Sequence, residues 1–153
     1  MEKIVEESVR ELLEKMGFSA EVSVEKSVEE ERIKVSVNIE TKESNFLIGQ
    51  YGTNLEALQH LVRVVVRNKV EEKIDLSVDV NSYRKEKTES LINLARNLAE
   101  EALEKNQAVA LRPMSAYERR LVHMELSKNE KIKTESVGEG EDRKVVIKPA
   151  SLV

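Results

Sequence analysis

The stretch FLIGQYGTNLEALQ, residues 46–59, contains two of the five glycines of the chain, spaced three positions apart. Gly49 and Gly52 stand between a short apolar segment and a predicted helix, where glycine permits a tight turn and leaves backbone N–H groups accessible. Phosphate is the ligand that such a turn suits, because N–H donors and a helix N-terminus attract anions. Glycine also serves turns that bind nothing, so the spacing alone leaves the structural and the phosphate-binding interpretations open.

Arg119 and His123, in the stretch SAYERRLVHMEL, form a second pair that is suited to binding anions. Residues four positions apart share one face of a helix, so both side chains can contact the same phosphate or base. The alternative is that His123 is a packed histidine with a satisfied ring nitrogen and that Arg119 caps or pairs locally. His60 has no charged constellation near it in the sequence, and we expect a structural role for it.

Residues for covalent or metal chemistry are few. The chain has no cysteine, which excludes disulfides and thiolate catalysis, and its two histidines are far apart, which argues against a structural zinc site. No Gly-x-x-x-x-Gly-Lys-Ser/Thr loop is present, and no histidine lies near a candidate nucleophile. We therefore expect a protein that is not an enzyme and that uses no cofactor and no metal.

Composition indicates a charged protein with a mostly aliphatic core. Of its 153 residues, 40% are apolar and 35% are charged, and no apolar run is long enough to span a bilayer. With no signal peptide either, the expected location is the cytoplasm, without membrane insertion. The net charge of −4 is uneven: residues 1–82 carry 11 Lys and Arg against 17 Asp and Glu, and residues 83–153 carry 14 against 12. Any basic surface must therefore be local.

Periodicity predicts the order helix, strand, strand, brief helix, helix, strand in the first half of the chain. Apolar residues at helical spacing predict a helix over Met1–Met16 that ends at Gly17. Strict alternation predicts a β-hairpin from Val22 to Ile39, with an acidic turn and one wet face, and a third strand over residues 74–80.

A helix that runs to Asn68 is predicted between the second and third strands. Thr53 and Glu56 match the spacing of a capping box at its start. Arg63, Arg67 and Lys69 make its C-terminal end basic, and they are expected to be ordinary charges near a helix C-terminus.

The second half predicts a long helix from Tyr83 to about Asn106 and a helix that begins after Pro113. Ser115 and Glu118 match a second capping box. The second helix runs to about Lys128, and two short β segments follow, Lys131–Val137 and Arg143–Lys148. The basic residues of these two segments are Lys131, Lys133, Arg143, Lys144 and Lys148. Because side chains alternate along a strand, we expect several of them to line one side of a groove.

Residues 21–80 resemble a type II KH domain, because LIGQYG joins two helices inside a strand, strand, helix, helix, strand order. The Gly-x-x-Gly loop of such a domain clamps about four nucleotides of a single strand through their backbone. The second half resembles the small single-strand-binding module named for its Arg-x-x-x-His signature, with LRPM before and TESVGEGEDRKVVIKP after Arg119 and His123. The two modules in this order resemble the bacterial Jag/KhpB family, also called SpoIIIJ-associated proteins.

The resemblance implies an α+β chain of two domains, a type II KH domain over residues 1–82 and an Arg-x-x-x-His domain over residues 83–153. It implies a nucleic-acid-binding site made of Ile48, Gly49, Gln50, Tyr51, Gly52, Thr53, Asn54, Arg119 and His123. Further basic contacts are expected from Arg112, Arg120 and Lys144. Family loops commonly carry a Lys or Arg between the glycines, where this chain has Gln50 and Tyr51. Longer family members also carry an extra N-terminal domain, whose functions are not expected here.

The function implied by the resemblance is a cytoplasmic RNA-binding protein, a post-transcriptional regulator linked to cell division, cell shape and envelope growth, and to sporulation. Its expected partners are single-stranded RNA and a small single-domain KH protein, and a homodimer is also compatible with the fold. The alternative is a protein-interaction adaptor that uses the KH fold for homo- or hetero-dimerisation and has little affinity for RNA. The uncharged pair Gln50 and Tyr51 and the acidic net charge favour that alternative.

Overall fold

The structure, a computed structural model, describes residues 1–152, which form two compact units. The first unit spans Met1–Arg84 and the second begins at Lys85, two residues beyond the boundary predicted after residue 82. Each unit has helices, a three-stranded sheet and an apolar core of its own, which confirms the α+β class. No helix within residues 1–152 combines the length and the apolar character needed to cross a bilayer.

The first unit contains the predicted helices and strands in the predicted order. Their bounds are α1 Glu2–Lys15, β1 Glu21–Glu29, β2 Arg32–Glu40, α2 Ser44–Ile48, α3 Thr53–Arg67 and β3 Ile74–Val80. The sheet order is β1-β2-β3, with β1 antiparallel and β3 parallel to β2. Parallel strands need a crossover connection, which here is α2, one 3₁₀ turn over Gln50–Gly52, and α3.

One face of this sheet is buried against the helices, as the alternation of the sequence predicts. Val35, Val37 and Ile39 of β2 and Val78 of β3 are 1% exposed or less, and they pack with apolar residues of α1 and α3. The opposite face is polar. Ser23 of β1 lies across from Asn38 of β2, and both are exposed, as expected for the wet face of a hairpin.

The turn between β1 and β2 is unusual for its residue types. Glu29 pairs with Arg32, so only Glu30 and Glu31 form the turn, with φ angles of 47° and 66°. Two positive φ angles match a type I′ turn, for which Asn-Gly is the favoured sequence. Two glutamates in this conformation therefore carry backbone strain.

The second unit packs helices against a sheet of strand order β4-β6-β5, paired antiparallel throughout. Its elements are α4 Tyr83–Lys105, which begins at the end of the first unit, β4 Val109–Ala110, α5 Ala116–Leu126, β5 Ile132–Val137 and β6 Lys144–Pro149. The core joins Leu91 and Ala95 of α4 to Val122 of α5 and Ile147 of β6. The sequence did not predict β4, because two residues are too few to show alternation.

Candidate nucleic-acid interface

Gly49 ends α2 in a conformation that only glycine adopts readily. Its φ of 69° and ψ of −176° lie in a region that L side chains avoid. A Cβ atom at this position would lie 2.5 Å from Cγ of Asn54, so a side chain is excluded by space as well as by backbone geometry. The first glycine of the loop therefore lets the chain turn tightly against the start of α3.

Gly52 is buried, adopts a φ of 79°, and has the ring of Tyr83 at 3.0 Å from the position of a Cβ atom. Between the glycines, Tyr51 has a φ of 56° and its side chain is 82% exposed. Gln50 is also exposed, and neither side chain has a hydrogen-bond partner among residues 1–152. The loop thus projects two uncharged side chains from a backbone held by its glycines.

Several polar groups of the loop are engaged within it. The N–H of Gly49 donates to the carbonyl of Asn45 at 2.9 Å, and the N–H of Thr53 donates to the carbonyl of Gln50. The Asn54 amide donates to the Phe46 carbonyl at 2.8 Å, which ties the start of α3 to α2. These bonds fix the shape of the loop, and they leave fewer N–H donors for a ligand than the sequence suggested.

The predicted capping box at the start of α3 is wrong. The N-cap residue is Gly52, without a side-chain cap, and the hydroxyl of Thr53 donates to the Gln50 carbonyl at 2.7 Å. Because the 3₁₀ turn precedes α3 directly, Thr53 is already a helical residue and cannot accept from the N–H of Glu56 as an N-cap would.

Two apolar side chains flank the loop. Ile48 is half-buried at the end of α2, and Phe46, two residues earlier, is 69% exposed. Phe46 was missed among the site residues predicted from the sequence. An aromatic residue in a chain with two Phe and three Tyr was the available signal, because an exposed ring is a stacking surface for a base.

The capping box at the start of α5 is confirmed. The Ser115 hydroxyl accepts from the N–H of Glu118, and the Glu118 carboxylate accepts from the N–H of Ser115 at 3.0 Å. Burial acts to raise the pKa of Glu118, but the bond from Ser115 and the charge of Lys87 outweigh it and lower the pKa below its usual value. Lys87 Nζ lies 3.5 Å from Oε1, a buried atom that has this ion pair and no hydrogen bond.

Arg119 follows directly and is anchored at one end. Its Nη1 donates to the carbonyl of Met114 at 2.9 Å, so the guanidinium folds back over the segment that precedes α5. Its other two nitrogens have no hydrogen bond and are not among the buried atoms without partners, so they reach solvent. The side chain is both positioned locally and open to a ligand.

His123, one turn later on the same face, is also anchored by one atom. Its Nδ1 lies 2.6 Å from Oγ1 of Thr134 on β5, whereas Nε2 reaches solvent. Burial, and then the charge of Arg119, lower the pKa of His123 below its usual value of 6.5. The histidine is therefore mainly neutral at neutral pH and gains its charge on acidification.

Arg143, in the loop before β6, is anchored on the same face of β5 as Thr134, the partner of His123. Its Nε donates to the Ser136 hydroxyl at 3.1 Å, its Nη1 donates to the Gly138 carbonyl, and its carbonyl accepts from the N–H of Met114. The main chain of Met114 thus bonds to the Arg119 side chain and to the Arg143 backbone, and Ser136 lies two residues beyond Thr134 on the same face of β5. The sequence indicated Arg143 only as a strand cation, because its main-chain bond to Met114, far earlier in the chain, leaves no local pattern.

In the described part of the chain, the remaining predicted cations make no hydrogen bond with Arg119 or His123, although three of the strand lysines share one face of the sheet, as alternation predicted. Arg112 and Arg120 are exposed and have no ion pair among residues 1–152. Lys144 pairs with Val137, which lies on the face of β5 opposite to Thr134, so Lys144 and His123 lie on opposite faces of the sheet. Lys133 and Lys148 also lie on that far face, where Lys148 is bound to Glu135 at 2.8 Å.

The arrangement offers groups that suit binding. Within residues 1–152 there is no group of three or more His, Cys, Asp or Glu residues that could hold a metal ion. The two candidate surfaces supply a glycine turn with exposed rings in one unit, and the anchored side chains of Arg119, His123 and Arg143 in the other. Both are features that contact phosphates and unstacked bases.

Comparison with known proteins identifies both units. Residues 2–80 match the family described as KhpA/KhpB, KH domain, and residues 89–149 match the R-three-H domain, which is the Arg-x-x-x-His module. The chain is 33% identical over 141 residues to the RNA-binding protein KhpB of Clostridium symbiosum, covering 92% of this chain and 63% of that protein. It is 35% identical over 123 residues to the RNA-binding protein KhpB of Bacillus subtilis, covering 79% of this chain and 59% of that protein.

A third relative is the RNA-binding protein KhpB of Lactiplantibacillus plantarum, 33% identical over 112 residues, which are 73% of this chain and 35% of that protein. The chain thus spans less than two thirds of the length of each of these relatives.

Proposed function

The chain belongs to the KhpA/KhpB family, and from that premise we propose that it binds single-stranded RNA through both units. The Gly-x-x-Gly loop contacts the sugar-phosphate backbone, and the Arg-x-x-x-His unit adds a cationic contact. Relatives that carry the name RNA-binding protein support this function. The observation that carries it is the pair Arg119 and His123, each held by one carbonyl or hydroxyl partner while other nitrogens stay open. Arg143 is anchored to Ser136 on the strand that holds His123.

The contribution of the first unit is a backbone contact without a loop cation. Gly49, Gln50, Tyr51 and Gly52 form the contact surface, with Thr53 and Asn54 at the start of α3. The backbone is shaped by the glycines, and the exposed rings of Tyr51 and Phe46 lie where a base can stack. Ile48 supplies an apolar wall beside the loop. Because no Lys or Arg lies between the glycines, we expect this contact to be weak when isolated.

The contribution of the second unit is charge. The guanidinium forks of Arg119 and Arg143 suit phosphate oxygens. Anchoring each side chain before binding lowers the entropy lost when a phosphate is bound. Two weak contacts in one chain gain by effective concentration, so affinity is expected to depend on both units.

The proposed cellular role is post-transcriptional regulation in the cytoplasm, linked to cell division and envelope growth, without catalytic turnover of RNA. A small single-domain KH protein is the proposed partner. These parts of the proposal rest on the family and on the absence from the sequence of a recognisable catalytic motif.

The test is fluorescence anisotropy of a labelled single-stranded RNA pool at several salt concentrations. Wild type is expected to bind with affinity that falls steeply as salt rises, because phosphate binding releases counterions. Gln50→Asp/Tyr51→Asp and Arg119→Ala/His123→Ala are each expected to weaken binding. Ser23→Asp/Ser27→Asp adds the same two charges to exposed positions of β1 and is the matched control for the first variant.

A second candidate function is a protein-interaction adaptor. Leu61 and Val64 on α3 are each 47% exposed. They are three positions apart and therefore adjacent on the helix surface, which favours a protein contact on this helix. Size-exclusion chromatography with light scattering, alone and with a small KH protein, tests for homo- and hetero-dimers. Salt-insensitive association that Leu61→Asp abolishes, together with no RNA binding, would favour the adaptor.

A further inference from the structure

The free edge of β3 is occupied by side chains. β3 pairs with β2 on one side only. On its other side, Gln59 Oε1 accepts from the N–H of Val78 at 2.9 Å, and Arg63 Nε donates to the carbonyl of Leu76 at 2.9 Å. Arg84 Nε also donates, to the carbonyl of Val78 at 3.0 Å. A bare edge would pair with a strand from another chain, whereas this edge presents side-chain groups.

Arg63 of α3, which binds this edge through Nε, keeps its two terminal nitrogens available as donors. Its bond to Leu76 uses Nε, and neither terminal nitrogen has a partner among residues 1–152. The side chain is exposed, and the guanidinium is planar, so anchoring Nε fixes the direction of the remaining N–H donors. The edge therefore presents a guanidinium fork whose orientation is set before any ligand arrives.

The fork borders a cleft of about 610 Å³ between the C-terminal half of α3 and the start of β3. Its buried lining is apolar and is formed by Val66, Val70 and Leu76. Its exposed lining combines two further cations with two carboxylates: Arg67, Lys73, Glu71 and Glu72. The volume lies in the range of clefts that hold small ligands or single bases.

We propose that this cleft takes a guanine base of a single-stranded RNA and that Arg63 is the residue that reads it, a proposal that rests on the proposed RNA binding. Guanine presents O6 and N7 as adjacent acceptors, and a guanidinium fork binds both of them. Its neighbouring edge carries the N1–H and N2–H₂ donors, which the carboxylates of Glu71 and Glu72 can accept.

The other bases fit this lining less well. Adenine places its N6 amino donor where Arg63 also donates, and a pyrimidine lacks the adjacent O6 and N7 acceptors. A bare phosphate would meet two carboxylates on the same rim, so the mixed charges favour a base that has both acceptors and donors. The apolar lining suits the face of a planar ring.

The cleft is separate from the Gly-x-x-Gly loop. Arg63 follows Gly52 by eleven positions in the chain, about 16 Å along α3 at 1.5 Å per residue. A strand held at the loop must therefore extend along α3 before a base enters the cleft. The cleft reads a different nucleotide from the one whose backbone lies at the loop.

The test compares labelled oligouridylates with versions that carry one guanine, adenine or 7-deazaguanine at successive positions. One guanine is expected to raise affinity about tenfold, the scale of one bidentate base contact, and 7-deazaguanine, which lacks N7, is expected to lose most of that gain. Arg63→Lys keeps the charge but not the fork, and is expected to abolish the preference. Arg32→Lys, an exposed arginine of β2, is the matched control and is expected to keep it.

Equal affinity for the all-uridine, guanine and adenine strands, or a guanine preference that survives in Arg63→Lys, would overturn the proposal while salt-sensitive binding of oligouridylate still supported the proposed function. No binding of any RNA would overturn both. Titrations with free GMP and AMP, followed by the amide NMR shifts of α3 and β3, distinguish the source of the base. Arg63-dependent binding of GMP without a guanine preference in strands would assign the cleft to a free nucleotide and overturn the RNA assignment.

Discussion

Oγ1 of Thr134 lies 2.6 Å from Nδ1 of His123, and this contact joins helix α5 to the edge strand β5. It fixes the plane of the imidazole and leaves Nε2 as the atom that a ligand meets. Because Arg119 is anchored one turn earlier on the same face, the geometry of both side chains is set by the fold and not by the ligand.

RNA affinity is expected to rise on acidification. Burial and Arg119 lower the pKa of His123 in the free protein, whereas a phosphate at Nε2 stabilises the protonated ring, so binding takes up a proton. We expect affinity to increase from about pH 7.5 to about pH 5.5 in wild type, the range in which histidine titrates, and to change much less in His123→Gln. Anisotropy at constant ionic strength measures this. An identical pH profile for the two proteins would exclude a phosphate contact by His123.

The lowered pKa of His123 also predicts that the free protein loses stability on acidification. Since the folded-state pKa of His123 lies below 6.5, the unfolded chain binds more protons as the pH falls below that value. The stabilisation of the folded state that comes from neutral His123 is fully present above pH 6.5, and it is lost as the pH falls through the pKa of His123 in the folded protein. Urea unfolding across the same pH range is expected to show a smaller loss in His123→Gln than in wild type. Equal losses would place the responsible proton elsewhere.

Gly49→Ala is expected to destabilise the first unit through two separate causes. The positive φ costs about 1–2 kcal/mol for an L residue, and the new Cβ would meet the Asn54 side chain at 2.5 Å. Asn54→Ala in the same chain removes the clash but not the strain, so the double variant should be more stable than the sum of the single effects. Gly17→Ala, with a φ of 87° and open space, is the control that measures strain alone. Additive effects in urea unfolding would show that Asn54 moves aside freely.

Replacing the strained hairpin turn is expected to stabilise the protein. Glu30→Asn/Glu31→Gly supplies residues that tolerate the φ angles of 47° and 66°. A gain of about 1–2 kcal/mol is expected, because each non-glycine residue in the left-handed region costs roughly that scale. Thermal and urea unfolding measure the gain. An unchanged or lower stability would mean that the turn relaxes into another geometry at no cost.

Ser115→Ala is expected to cost about 1 kcal/mol, the usual value of a lost N-cap. It removes the hydroxyl that accepts from the N–H of Glu118, and Arg119 follows in the same turn. RNA affinity is therefore expected to fall together with stability. Ser127→Ala, at the C-terminal end of α5, is the matched control and should leave affinity unchanged. Wild-type stability in Ser115→Ala would show that the capping box is dispensable.

Periodicity predicted the strands and helices well, because alternation and the apolar stripe of a helix are local signals. The two capping boxes show where such signals end. Ser115 and Glu118 form a capping box. Thr53 and Glu56 have the same spacing but form none, because the 3₁₀ turn makes α3 begin one residue earlier, at Thr53 itself.

The candidate site was predicted less completely than the fold. Arg119 and His123 were found from their spacing on one helix. Arg143 was not grouped with them, since its bond to Met114 and the strand face that Ser136 shares with Thr134 become visible only in the fold. The open fork of Arg63 was missed for the same reason: a cation near a helix end has an ordinary explanation until its partner on β3 is known.

The most direct test of RNA binding by both units is the salt dependence of anisotropy for wild type, Gln50→Asp/Tyr51→Asp and Arg119→Ala/His123→Ala, with circular dichroism to confirm that each variant folds. We predict a clear salt slope for wild type, a loss of affinity in both variants, and a reduced slope in Arg119→Ala/His123→Ala because it releases fewer counterions. Wild-type binding that is insensitive to salt, or variants that bind as wild type does, would contradict RNA binding at these sites.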